Sequence, residues 1–65
     1  MENTKLLYFL QLLNTANKAK EITDTQRVKI ATLAKDGQFD TLKGYLLGLL
    51  KTKERYGLRE MYKLI

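Results

Sequence analysis

Apolar and polar positions in the N-terminal third of the chain repeat with the period of an α-helix. One apolar set follows the i, i+3, i+4, i+7 spacing of a single helix face: Leu6, Phe9, Leu10 and Leu13. A second set covers much of the remaining circumference: Leu7, Tyr8 and Leu12. A helix that is apolar on nearly all sides needs neighbours in more than one direction. The pattern predicts a first helix over about residues 4–20, with Asn3 or Thr4 as its N-cap.

The segment ITDTQR marks the start of a second predicted helix. Thr23 and Gln26 lie three residues apart, as in a capping box, where each side chain accepts a hydrogen bond from the other residue's backbone. Asp24 places a negative charge near the positive end of the helix. We expect this helix over residues 24–35, ending before Gly37, because glycine readily adopts the left-handed conformation that closes a helix.

A third predicted helix begins after Asp40, a favourable N-cap, and is expected over about residues 41–56. Its apolar face is broad and consists of Leu42, Tyr45, Leu46, Leu49 and Leu50. Gly44 and Gly48 lie four residues apart within that face, and each costs about 1 kcal/mol of helix propensity relative to alanine. Small residues at this spacing allow a second helix to approach closely, so we interpret the pair as a packing site.

Basic residues recur every four positions in the C-terminal segment, at Lys51, Arg55, Arg59 and Lys63. In one continuous helix they would form a ridge about 18 Å long, whose mutual repulsion an anionic partner would relieve. After Gly57, however, the apolar face shifts by about a quarter-turn. The shift predicts that helix three ends at Gly57, that a short fourth helix follows over residues 58–64, and that the ridge is broken into two pairs. Glu54 can then pair with Lys51 or with residues beside Leu58, and Glu60 with Lys63.

Together these elements predict an all-α fold: a single helical domain, residues 1–65, built as a small bundle of three helices with the short fourth at its C-terminus. A chain of 65 residues buries only about 60% of its unfolded surface, so its stability is small. The sequence contains no Cys, His or Ser, which removes disulfides, the commonest metal ligands, the commonest general base and serine nucleophiles. We therefore expect no enzyme, no cofactor and no metal site.

The apolar surface of helices one and three exceeds what a monomer of this size easily hides. A second copy, most simply in a homodimer, or a larger protein would cover it. The candidate interface residues are Leu7, Tyr8, Leu12, Gly44, Leu47 and Gly48. The leading hypothesis is a non-enzymatic interaction module, such as an adaptor, inhibitor or assembly protein, acting by protein–protein contact.

A net charge of +5 and a sequence pI of about 9.6 favour anionic partners. The alternative hypothesis is a small basic nucleic-acid-associated regulator whose phosphate contacts are Lys51, Lys53, Arg55, Arg59 and Lys63. Tyr45, Tyr56 and Tyr62 accompany these residues, but their spacing is more typical of the edge of a core than of a stacking surface. A helix–turn–helix is disfavoured because the start of helix three, TLKGYLLGLL, is rich in leucine. A membrane-surface role is disfavoured by the absence of Trp.

The apolar run LLYFLQLL over residues 6–13 has the length of a signal-peptide core. Glu2 opposes a cationic start, Gln11 interrupts the run, and Lys18 occupies the region where a small-residue cleavage site would lie. No stretch approaches the ~18 apolar residues of a membrane span. We therefore expect a cytoplasmic protein.

Overall fold

The computed structural model describes residues 2–65, so Met1 of the predicted domain lies outside the described residues. Within this range the chain forms four α-helices: α1 (Asn3–Lys18), α2 (Asp24–Lys35), α3 (Phe39–Thr52) and α4 (Tyr56–Leu64). The predicted all-α class is confirmed. The predicted count of three helices with a short addition is wrong, because α4 is a full member of the bundle that packs against both α1 and α3.

Each helix packs against two others, so the four helices close into a ring with α1 against both α2 and α4. α3 lies diagonally opposite α1 and packs against α2 and α4. One cluster of buried side chains fills the centre of the ring: Phe9, Leu13, Ala16, Ile22, Ile30, Leu33, Ala34, Leu42, Leu46, Leu50, Leu58 and Met61. Burying a large apolar side chain contributes about 1.5–3 kcal/mol. Because Leu58 and Met61 are completely buried, α4 is part of the core.

The first helix is expected to reach Lys20 but ends at Lys18, where the backbone forms a Schellman motif. The Lys20 N–H donates to the Asn17 carbonyl at 3.0 Å, and the Glu21 N–H donates to the Ala16 carbonyl at 2.9 Å. This motif requires a left-handed residue, and Lys20 provides it with φ of 62°. A side chain in that conformation costs about 1 kcal/mol relative to glycine.

Both ends of α2 agree with the sequence analysis. The Gln26 N–H donates to Thr23 Oγ1 at 3.1 Å, and the Thr23 N–H donates to Gln26 Oε1 at 2.9 Å, which completes the capping box. At the other end Gly37 has φ of 74°, and the Gln38 N–H donates to the Leu33 carbonyl at 3.0 Å. Both ends of this helix are therefore determined by residues close to them in sequence.

The boundary between α3 and α4 differs most from expectation. α3 begins at Phe39 rather than at residue 41, and its N-cap is Gln38, so the predicted N-cap at Asp40 is wrong. α3 ends at Thr52 rather than at residue 56, and the backbone is extended at Lys53 (φ −157°, ψ 125°) and at Arg55 (φ −139°, ψ 136°). The predicted break at Gly57 is wrong, because Gly57 lies in the first turn of α4 and is buried. The change in direction of the apolar face is real, but the chain makes it in the extended segment before α4.

Gly57 is the glycine that allows two helices to approach closely. A Cβ built at this position would lie 3.0 Å from Ala16 Cβ and 2.9 Å from Glu21 Oε1, both shorter than a normal contact. A Cβ at Gly44 or Gly48 would meet nothing within 4 Å. The interpretation of those two glycines as a packing site is therefore wrong within one copy of the chain.

We predict opposite effects of alanine at these glycines. Gly44→Ala and Gly48→Ala should each raise the free energy of unfolding by up to about 1 kcal/mol, because alanine favours the helix and enters open space. Gly57→Ala should lower it by about 1–3 kcal/mol, because the new methyl group displaces Ala16 or Glu21. Urea unfolding followed by circular dichroism measures all three. A Gly57→Ala variant as stable as the parent would contradict the close contact between α1 and α4.

Candidate functional site

The α1–α2 and α3–α4 connections lie side by side at one end of the bundle, and the Arg55 side chain joins them. Its Nη1 donates to the Glu21 carbonyl at 3.0 Å, and its Nη2 donates to the Leu49 carbonyl at 2.8 Å. Its Nε donates to the Lys53 carbonyl at 2.9 Å. All three nitrogens of the guanidinium group therefore bind backbone oxygens, in the last turn of α3 and in both connections.

Glu21 completes the same junction from the opposite side. Its Oε1 accepts from the Gly57 N–H at 2.9 Å. This N–H lies in the first turn of α4, where backbone donors have no partner within the helix and the helix dipole favours a negative charge. A carboxylate from the α1–α2 connection thus caps α4. We call the contacts made by the Arg55 and Glu21 side chains the loop junction.

The five predicted phosphate contacts do not form one ridge, because the chain is extended between the helices that carry them. Lys51 lies in the last turn of α3, Lys53 and Arg55 lie in the connection, and Arg59 and Lys63 lie on α4. A four-residue spacing aligns side chains only along a continuous helix. The Arg55 guanidinium, in addition, is already engaged by the loop junction.

Arg59 and Lys63 form ion pairs with neighbouring carboxylates. Arg59 donates to Glu54 through Nε at 3.0 Å and through Nη2 at 2.7 Å, a two-pronged contact. Lys63 Nζ lies 3.3 Å from Glu60 Oε2. Hydrogen bonding to Arg59 holds the pKa of the Glu54 carboxyl below its usual value, and the same hydrogen bond raises the pKa of Arg59. The predicted local neutralisation by Glu54 and Glu60 is confirmed.

The six candidate interface residues lie in two separate groups. Leu7, Tyr8 and Leu12 are on α1, whereas Gly44, Leu47 and Gly48 are on α3, diagonally across the bundle. Leu7 and Tyr8 are 63% and 51% exposed, while Leu12 and Leu47 are half-buried. One partner surface therefore does not reach all six residues.

The tyrosines differ from one another in their surroundings. Tyr45 and Tyr62 pack against the core, as the sequence analysis expects, and cations lie over their rings: Lys29 Nζ is 5.4 Å from the centre of Tyr45, and Lys43 Nζ is 5.6 Å from that of Tyr62. Tyr56 is instead 76% exposed, so its interpretation as a core-edge residue is wrong.

Sequence reasoning missed two residues at this end of the molecule, Lys20 and Glu21. Both line an open cleft of about 480 Å³ beside Arg55. The cleft also includes Asp24 and the amide of Asn17, whose Nδ2 donates to Asp24 Oδ1 at 3.0 Å. No local signal in the sequence indicates that these residues lie beside Arg55.

No family model matches this chain, and neither a curated protein nor a solved structure was found that is similar to it. Among residues 2–65, none of the helices combines the length and the apolar character needed to cross a membrane. The surface of the bundle is therefore the basis for the functional proposals below.

Replacing Arg55 by alanine should lower the free energy of unfolding by about 2 kcal/mol, because hydrogen bonds to a charged group contribute about 1.5–3 kcal/mol. Lys51→Ala removes the same charge from an exposed position of α3 and should change stability by no more than about 0.5 kcal/mol. Urea unfolding compares the two variants. Equal midpoints would mean that Arg55 does not hold the connections together.

The Glu54–Arg59 contact predicts a defined pH dependence. A carboxyl whose pKa is lower in the folded state stabilises the fold above its unfolded pKa, and this contribution is lost as the pH falls through the folded pKa. NMR of the side-chain carboxyl carbons should give Glu54 a midpoint below its usual value. In Arg59→Gln the Glu54 midpoint should rise towards that value, and an unchanged midpoint would contradict the role of Arg59.

Proposed function

We propose that this chain is a non-enzymatic interaction module that acts by protein–protein contact through the outer surface of α1. The exposure of Leu7 and Tyr8 carries the proposal, because both are more than half exposed on a helix whose opposite side is buried in the core. Removing large apolar side chains from water is the main favourable term in protein association. The two residues are adjacent in sequence and point about 100° apart, so they flank the outward side of the helix.

The apolar surface is confined to the first half of α1. Two half-buried leucines extend it, Leu10 one turn beyond Leu7 and Leu12 one turn beyond Tyr8. Gln11 is a polar residue within this stretch, and the outward positions beyond Leu12 are polar and exposed: Asn14, Thr15 and Lys18. We call the set Leu7, Tyr8, Leu10 and Leu12 the α1 patch. A patch of large apolar residues with a polar surround is the arrangement typical of contact surfaces.

The proposed occupant of the patch is a second copy of the chain, in a two-fold homodimer with the two α1 helices antiparallel. In such a dimer each patch meets its own copy, so one apolar surface covers another. Docking on a larger protein is the alternative occupant.

Phosphate binding through the C-terminal basic residues has less support as a function. Arg55 binds three backbone carbonyls, and Arg59 and Lys63 are paired with carboxylates, so most of the proposed contacts already have internal partners.

A cytoplasmic location remains part of the proposal, and the lack of cysteine is compatible with it.

The double variant Leu7→Glu/Tyr8→Glu tests the homodimer. Sedimentation equilibrium over a range of concentrations should show a dimer for the parent and a monomer for the variant, because charges at the centre of the contact would be desolvated. The melting temperature of the parent should rise with concentration, since association stabilises the folded state, and that of the variant should not.

The matched control is Gln38→Glu/Thr41→Glu, which adds the same charge at exposed polar positions at the start of α3, the helix diagonally opposite α1. It should remain a dimer with a melting temperature close to that of the parent. A parent protein that stays monomeric at every concentration would reject self-association. Equal loss of the dimer in both double variants would assign the effect to charge rather than to the α1 patch.

A further inference from the structure

The end of the bundle that contains the loop junction also carries four exposed lysines. One pair closes α1 and the other closes α3: Lys18 and Lys20, Lys51 and Lys53. Lys20 and Lys53 flank the loop junction, because the Arg55 guanidinium contacts the carbonyl of Lys53 and that of Glu21, the residue after Lys20. Cations at the C-terminal ends of helices are favoured by the helix dipole, which offsets part of their repulsion within the fold.

The acidic side chains at this end are all engaged in contacts within the chain. Glu21 accepts from the α4 backbone, Asp24 accepts from the Asn17 amide, and Glu54 binds Arg59. The ion pairs formed within residues 2–65 include none of the four lysines. Because the four lysines outnumber the three carboxylates, this end keeps an excess of positive charge that attracts an anionic partner.

A highly exposed aromatic ring lies at the same end. Tyr56 follows Arg55 directly as the first residue of α4 and is 76% exposed. The other two tyrosines of this half of the chain, Tyr45 and Tyr62, pack against the core instead. A cationic surface with an accessible aromatic ring is the combination that holds single strands, because lysines contact phosphates while the ring stacks on a base.

We propose that this surface, which we call the lysine end (Lys18, Lys20, Lys51, Lys53 and Tyr56), binds single-stranded nucleic acid. In a duplex the base faces are stacked on one another and closed to Tyr56, so a single strand is the better match. A membrane surface is a poorer match, because peripheral binding needs a free apolar helix face beside the positive charges. α4 buries its apolar face in the core through Leu58 and Met61, and the α1 patch lies in the first half of α1, towards the other end of the bundle.

Fluorescence anisotropy with a labelled mixed-sequence strand of about 12 nucleotides tests the proposal, since single-strand sites commonly span about 4–16 nucleotides. Four phosphate contacts give an expected slope of log affinity against log salt of about −2.8, at about −0.7 for each contact. Lys20→Gln/Lys53→Gln should weaken binding at least about tenfold at 0.1 M salt and reduce the slope by about 1.4.

Lys5→Gln/Lys35→Gln is the matched control, because it removes the same charge from the opposite end of a molecule whose longest dimension is 28 Å. It should change affinity by less than about twofold at 0.1 M salt, where charges more than about 10 Å away are screened. Equal weakening by the two pairs would overturn the proposal, because net charge alone would then explain binding.

Tyr56→Ala separates stacking from charge. It should weaken binding at least about fivefold, whereas Tyr56→Phe, which keeps the ring, should bind like the parent. Both variants should melt like the parent, since the side chain is exposed. Parent-like binding by Tyr56→Ala would overturn the proposal. So would equally tight binding to a duplex of the same length, or binding to vesicles containing phosphatidylserine without binding to the strand.

Discussion

This small bundle depends on the loop junction, in which the Arg55 and Glu21 side chains each bind the backbone of the other segment. Arg55 binds the backbone of the α1–α2 connection, and Glu21 binds the backbone at the start of α4. Nine residues are too few for a helix to be stable in isolation, so α4 forms because it is capped and packed by the rest of the chain. The loop junction also brings the first turn of α4 against Ala16, where only glycine fits without displacing a neighbour.

The parts of the fold that the sequence predicted well are those determined locally. The capping box of Thr23 and the left-handed Gly37 lie within a few residues of the helix ends that they define. The junction could not be predicted in this way, because its partners are 34 and 36 residues apart. Lys53, Glu54 and Arg55 have ordinary helix propensity and include no glycine or proline, so nothing local marks them as the end of α3. Tertiary hydrogen bonds override their propensity there.

The difference between local and long-range contacts also explains where the structure places the candidate site residues. A four-residue spacing aligns basic side chains only along one uninterrupted helix. The extended segment between α3 and α4 separates them, so no continuous basic ridge forms. The surplus of apolar residues on α1 was partly explained by α4, which packs against α1 and completes the core, and it leaves Leu7 and Tyr8 as the large exposed residues of that helix. Lys18 and Lys20 became candidates because folding brings the end of α1 to the same end of the bundle as Lys51 and Lys53, an arrangement that depends on contacts between residues distant in sequence.

The closed ring of helices also has a consequence for the order in which the chain folds. Three of its four packed pairs join helices that are consecutive in sequence, but the α1–α4 pair joins the first helix to the last. Its formation closes a loop that contains all of α2 and α3, and the entropic cost of closure rises with loop length. We expect the consecutive pairs to form early and the α1–α4 contact to complete the transition. The close contact between Ala16 and Gly57 then forms in the last step of folding.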